Sequence, residues 1–211
     1  MLLIYLADPL CSWCYGFGPE LAKLLDRHPA AKLELVMGGL RPFNTEPATP
    51  EFREMLRGHW RHVATASGLP FSEAALEHPG FVYDTEPACR AVVTARSIEP
   101  AKALAYMKAV QLAFYRDGRD MTRGDELSQV AGEQGFERDT FRMQLDSPRM
   151  RDATRADFSR TQSLGVSGFP TLGVVHGKQV YLVTSGYVTD DVLEYRLEEI
   201  VRLVERRSAA G

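Results

Sequence analysis

Two cysteines separated by two residues, Cys11-Ser12-Trp13-Cys14, follow a short apolar run at residues 2–6. They precede a stretch from Pro19 to Leu25 with apolar residues at helical spacing. No other feature constrains the chain as much. A short continuous apolar run suits a buried parallel strand. The next segment reads as a helix that starts at the cysteines, tolerates Pro19 and ends near His28-Pro29. Residues 32–37 read as a second strand, stopped by Gly38-Gly39. Strand, helix, strand implies a right-handed crossover and a parallel pair.

Two thiols so spaced at a helix start can close a disulfide within a single turn. The first lies among unpaired backbone N–H groups at the positive end of the helix dipole. That position favours the thiolate, the reactive species in disulfide exchange. Cys11 would then attack a substrate disulfide, and Cys14, one turn deeper, would resolve the mixed disulfide. Ser12 can donate a hydrogen bond and Trp13 carries no charge, so the bias toward thiolate is moderate. Alternatively, the pair is half of a zinc site completed by His59 and His62. Zinc ligand pairs usually flank tight turns, however, and His59 continues the face of Phe52, Met55 and Leu56. Three cysteines are too few for a disulfide framework.

The centre of the chain reads as helical throughout. Thr49-Pro50 supplies an N-cap and a first-turn proline, and Phe52, Met55, Leu56 and Val63 share a face. Thr85-Glu86-Pro87 and Pro100 open two further helices. Thr122 with Asp125 resembles a capping box, and helical stretches follow at 140–145 and 149–164. Strand signals return at 170–175 and 179–183, joined by His176-Gly177-Lys178 as a hairpin. An amphipathic helix starting near Thr189-Asp190 closes the chain. The expected architecture is α/β: a thioredoxin-like domain of residues 1–45 and 160–211, with an α-helical domain of 46–159 inserted.

Twenty-five basic side chains stand against 28 acidic ones, and no basic block occurs, so no nucleic-acid partner is expected. No stretch reaches the roughly 18 apolar residues of a membrane span. Asp8 and Pro9 interrupt the N-terminal apolar run and no basic residue precedes it, so a secretory signal is not expected. The expected setting is cytoplasmic.

Asp8-Pro9-Leu10-Cys11-Ser12-Trp13-Cys14-Tyr15-Gly16 and Gly165-Val166-Ser167-Gly168-Phe169-Pro170-Thr171 together resemble the DsbA-like family of thioredoxin-superfamily oxidoreductases. The closer resemblance is to its cytosolic FrnE-like branch of predicted protein-disulfide isomerases. It extends over nearly the whole chain, through the order and separation of the two motifs. The resemblance implies a thioredoxin fold with a helical insertion after the second strand, Cys11 as nucleophile and Cys14 as resolving thiol. It implies a cis peptide at Phe169-Pro170 lying against the thiols and pairing with an extended substrate.

It further implies protein or small-thiol disulfides as substrates, a recycling thiol reductant, no cofactor beyond the redox-active pair and no metal, with glutathione as a candidate co-substrate. The Ser-Trp spacer lacks the proline and histidine of strongly oxidising members, so a reductant or isomerase is expected. Phe169 replaces a smaller residue and should narrow the groove or offer a stacking surface. Related 2-hydroxychromene-2-carboxylate isomerases and kappa-class glutathione transferases generally carry serine at the first position. A glutathione-dependent isomerase or transferase is therefore the second expectation, and a metal-binding or chaperone-like protein the third.

Other residues are marginal. Trp13, Tyr15 and Phe17 are expected to form an apolar substrate-contacting rim around the thiols. Asp8 either caps a turn or influences the thiols. Cys89 is either a buried free cysteine or a third redox thiol. Glu86-Pro87 borders the cleft if the resemblance extends that far. His28, His78 and His176 read as loop residues.

Overall fold

The computed structural model describes residues 1–209. Strand β1 (Leu2–Ala7) pairs in parallel with β2 (Lys32–Met37) and antiparallel with β3 (Thr171–His176). β3 pairs antiparallel with β4 (Gln179–Ser185), so the order is β2-β1-β3-β4. Helix α1 (Ser12–Arg27) is the crossover between β1 and β2. The side chains of β1 alternate between two cores. Leu3, Tyr5 and Ala7 join the main core, and Ile4 and Leu6 join a smaller cluster with Val36. Each fully buried apolar side chain contributes roughly 1.5–3 kcal/mol, so both faces hold the strand.

Helix α8 (Asp190–Ala209) packs beside α1 and against β4. Charged groups tie the two helices together: Arg27 meets Asp190 at 2.8 Å and Glu194 at 2.8 Å, and the Asp190 N–H donates to Glu20 at 2.9 Å. Between β2 and β3 run α2 (Pro50–Ser67), α3 (Glu86–Ile98), α4 (Ala103–Tyr115), α5 (Gly124–Glu133), α6 (Arg138–Leu145) and α7 (Pro148–Ser163). The expected boundary at 159 to 160 falls inside α7, which itself packs on β2. There Asp157 accepts the Met37 N–H at 2.8 Å and pairs with Arg96.

Thr49 caps α2 by accepting the Phe52 N–H, as its sequence suggests. The capping box at Thr122 does not form. The Asp120 carboxylate takes the Thr122 N–H and hydroxyl, and α5 opens one residue later without a side-chain cap. Within the segment expected to be wholly helical, Pro47 and Val82 also make a single antiparallel bridge. The insertion core centres on Trp60, whose ring meets Phe71, Phe114 and Tyr115. Among the described residues, no helix is long and apolar enough to cross a membrane.

Candidate active site

The turn leaving β1 sets the site. Asp8 is completely buried, and its carboxylate accepts the Leu10 N–H at 2.8 Å and the Leu40 N–H at 2.6 Å. The Leu10 carbonyl receives the hydroxyls of both Tyr83 and Tyr115, two residues of the insertion. Both edges of the Leu10 residue are thus held. Cys11 follows as the N-cap of α1, its N–H bonded to the Asp8 carbonyl at 3.1 Å. Burial raises the titration of the Asp8 carboxyl, with its hydrogen bonds opposing the shift.

Cys11 is 5% exposed and Cys14 wholly buried. The Cys11 Sγ lies 3.6 Å from the Phe169 carbonyl oxygen, and the Phe169–Pro170 peptide is cis. The two motifs, 158 residues apart, therefore meet at the thiol. Burial and then the adjacent Cys11 push the Cys14 thiol well above its ordinary range. All three cysteines are free thiols.

Cys11 opens onto a groove of about 390 Å³. Phe52, Met55 and His59 of α2 form one side and Gly168-Phe169 another, with Trp13 and Arg41 also lining it. Trp13 is partly buried and leans on Tyr187, ring centroids 5.6 Å apart. The Arg41 guanidinium stacks over Phe52 at 4.6 Å and brings a positive charge to the groove. Phe169 is partly buried and rests on the Ile4–Leu6–Val36 cluster. Its ring occupies the space above Gly38, where a Cβ would come within 2.0 Å of it. Gly38 therefore does more than stop β2: it makes room for the residue beside Pro170.

Two expected rim residues are corrected. Tyr15 is 4% exposed, stacks on Tyr115 at 5.0 Å and donates its hydroxyl to the Pro70 carbonyl. Phe17 is fully buried against Tyr5, 5.8 Å between centroids. Residues 15 and 17 face inward because α1 turns its apolar side to the insertion and the sheet. Asp8 holds the turn and also accepts from the Cys89 thiol at 3.3 Å. Cys89 is fully buried, and its thiol titrates well above the ordinary range through burial and then the Asp8 charge. Glu86 pairs with Arg90 at 2.8 Å instead of bordering the groove. His59 lines the groove, but among the described residues no group of three His, Cys, Asp or Glu side chains is placed to share a metal ion.

Sequence reading did not single out Tyr5, Arg41, Tyr83 or Tyr115, and took Gly38 only as the end of a strand. The Gly38-Gly39 pair was the only local signal, and it points equally to a simple strand end. The tyrosines reach the turn across 73 and 105 residues of chain, which no local pattern encodes.

The DSBA-like thioredoxin domain model matches residues 3–198, and the chain belongs to this family. Among solved structures it is similar to a candidate protein disulfide isomerase from Nitrosomonas europaea, with 37% identity and a TM-score of 0.89 over 96% of this chain and 98% of that one. It is also similar to the cytosolic disulfide reductase DsbM from Pseudomonas aeruginosa, with 27% identity and a TM-score of 0.79 over 96% and 100% of the two chains. A structure of that reductase with GSH superposes with a TM-score of 0.76 at 25% identity, over 96% and 99%. A 2-hydroxychromene-2-carboxylate isomerase shares the fold at 17% identity and a TM-score of 0.67, over the full length of both chains. The ClpXP adapter protein SpxH of Halalkalibacterium halodurans is 24% identical over 78% of this chain; the match spans only 55% of that protein.

Proposed function

We propose that this chain is a thiol-disulfide oxidoreductase, a reductase or isomerase of protein or small-thiol disulfides, with Cys11 as nucleophile and Cys14 as resolving thiol. The observation that carries this is the position of the Cys11 sulfur, on the groove and 3.6 Å from the carbonyl before the cis-proline, with Cys14 buried behind it. Attack by the Cys11 thiolate breaks the substrate S–S bond, forms a mixed disulfide and releases one substrate thiol. Cys14 then displaces the second thiol, leaving a Cys11–Cys14 disulfide. A thiol reductant returns two electrons to regenerate the dithiol. Glutathione suits both this recycling role and the role of small co-substrate, in a cytoplasmic setting where thiols stay reduced. The likeness to a cytosolic disulfide reductase supports that setting.

The groove favours extended peptide-like substrates. Trp13, Phe169 and Phe52 offer apolar and aromatic surface, and Arg41 can pair with a substrate carboxylate. The likeness to the isomerase shows a shared fold alone, and the Cys11 thiol favours disulfide chemistry. Insulin disulfide reduction with dithiothreitol tests the proposal. Cys11→Ser should abolish catalysis and Cys14→Ser should accumulate mixed disulfide; full activity in Cys11→Ser would refute it. Saturable glutathione binding without disulfide turnover would point instead to a transferase or isomerase.

A further inference from the structure

Among the described residues, Tyr5, Gln111 and Arg119 each carry a buried polar side-chain atom without a hydrogen-bond partner, and of these Tyr5 lies in the strand that leads to the thiols. It sits in the middle of β1, opposite Leu35 of β2 and Leu172 of β3, with its ring against Phe17. It is 1% exposed, and its hydroxyl makes no hydrogen bond of ordinary geometry. A buried hydroxyl without a partner costs about 1–3 kcal/mol, so its presence calls for a use. The Tyr5 ring packs on Phe17, which lies one helical turn after Cys14 on the buried side of α1, so the hydroxyl shares its core with the Cys14 thiol.

We propose that Tyr5 is a positioning residue for the resolving step, donating its hydroxyl hydrogen to the Cys14 sulfur as that sulfur becomes a thiolate. The assignment rests on the oxidoreductase function proposed above. In that step Cys14 gives up its proton and its sulfur attacks Cys11 Sγ. The bond from Cys11 to the substrate sulfur breaks, and the departing thiolate takes up a proton. Over the two steps the enzyme dithiol loses two electrons and the substrate disulfide gains them. Tyr5 keeps its own proton throughout.

The surroundings of Cys14 leave few other donors. The titratable groups electrostatically linked to Cys14 are Cys11 at the start of α1, Asp8 after β1, Tyr5 in β1 and Tyr83 before α3. Negative charge on Cys11 or Asp8 opposes a second anion, and a backbone hydrogen bond at Asp8 favours one. Tyr83 and Tyr115 already commit their protons to the Leu10 carbonyl. Tyr5 is the uncommitted side-chain donor. Burial holds its phenol protonated well beyond neutral pH, so it acts as a donor and not as a base.

Tyr5→Phe removes only the hydroxyl. The reduced protein, mixed rapidly with a limiting chromogenic aromatic disulfide, releases one thiol when Cys11 attacks and a second when Cys14 resolves. Tyr5→Phe should leave the first release within about two-fold. It should slow the second about ten-fold and raise its pH midpoint by about one unit, the effect of losing one hydrogen bond to a charged group. Phe17→Leu, which loosens the same packing without removing a donor, should leave that midpoint in place. An unchanged second release and midpoint in Tyr5→Phe would overturn the assignment, as would an equal midpoint shift in Phe17→Leu. A parent protein that releases neither thiol would overturn the oxidoreductase proposal and this assignment with it.

Discussion

The sheet half of the molecule and its helical insertion contribute to the site in different ways. The sheet half supplies the groups at the proposed reacting centre: Cys11 and Cys14 at the start of α1, and Phe169-Pro170 at the entry to β3. The insertion supplies Tyr83 and Tyr115 behind the Leu10 carbonyl and the α2 wall of the groove. The difference separates reactivity from placement. Thiols at a helix start have their chemistry locally, whereas the rigidity of their turn comes from residues far along the chain.

This division predicts a graded series of effects. The largest is on the sheet side: Cys11→Ser should lower disulfide turnover by on the order of a thousand-fold or more, while Cys89→Ala, in the insertion, should leave turnover within a few-fold. Steady-state insulin reduction measures both. Comparable losses in the two variants would erase the distinction between the regions.

The next effect probes placement. Tyr83→Phe or Tyr115→Phe alone leaves the Leu10 carbonyl one donor and should cost about 1 kcal/mol. Together they strand a buried acceptor and should cost roughly 2–4 kcal/mol. Denaturant unfolding of the four proteins gives the coupling directly; simple additivity would mean that the two hydroxyls do not share one task.

Gly38→Ala sharpens the boundary between the regions. Its methyl group would intrude on the Phe169 ring, and relieving that overlap should cost about 1–3 kcal/mol. Displacing the ring beside Pro170 should also slow turnover by roughly ten-fold. Unfolding midpoints and insulin reduction check the pair of effects. Normal stability and rate would show that Phe169 has room elsewhere.

The smallest effect lies at the far side of the sheet half, where pairing with Arg27 and Lys23 lowers the Asp190 carboxyl to about 2. A depressed carboxyl stabilises the fold above its unfolded value of roughly 4 and loses that contribution as pH falls toward 2. Because the pair is solvent-exposed, the change should be slight. Asp190→Asn should flatten the stability profile between about pH 4 and 2 without altering turnover at neutral pH, as read by thermal unfolding across that range.

The same contrast explains what the sequence reveals. Cys11 and Cys14, the strand–helix–strand opening, the helical middle and the terminal hairpin are all encoded in local spacing, and the fold followed from them. Phe169-Pro170 acquired meaning only from its order relative to the thiols, since a proline before a strand is commonplace. Tyr15 and Phe17 misled because aromatic residues beside a reactive pair look like a rim. Helical geometry turns both inward, toward Tyr115 and Tyr5. Arg41 lies in a loop without periodicity, and Tyr83 and Tyr115 act through long-range hydrogen bonds. Thr122 does not cap α5 because the helix starts one residue further on, after Arg123, while the Asp120 carboxylate holds the Thr122 N–H and hydroxyl in the preceding turn.

The central claim is that Cys11 meets the substrate and Cys14 does not. It is tested most directly by trapping: Cys14→Ser is incubated with a peptide disulfide, quenched with acid and mapped by mass spectrometry. The account predicts one peptide per chain, linked to Cys11. Attachment at Cys89, or no adduct under conditions where the parent protein reduces the same peptide, would contradict it.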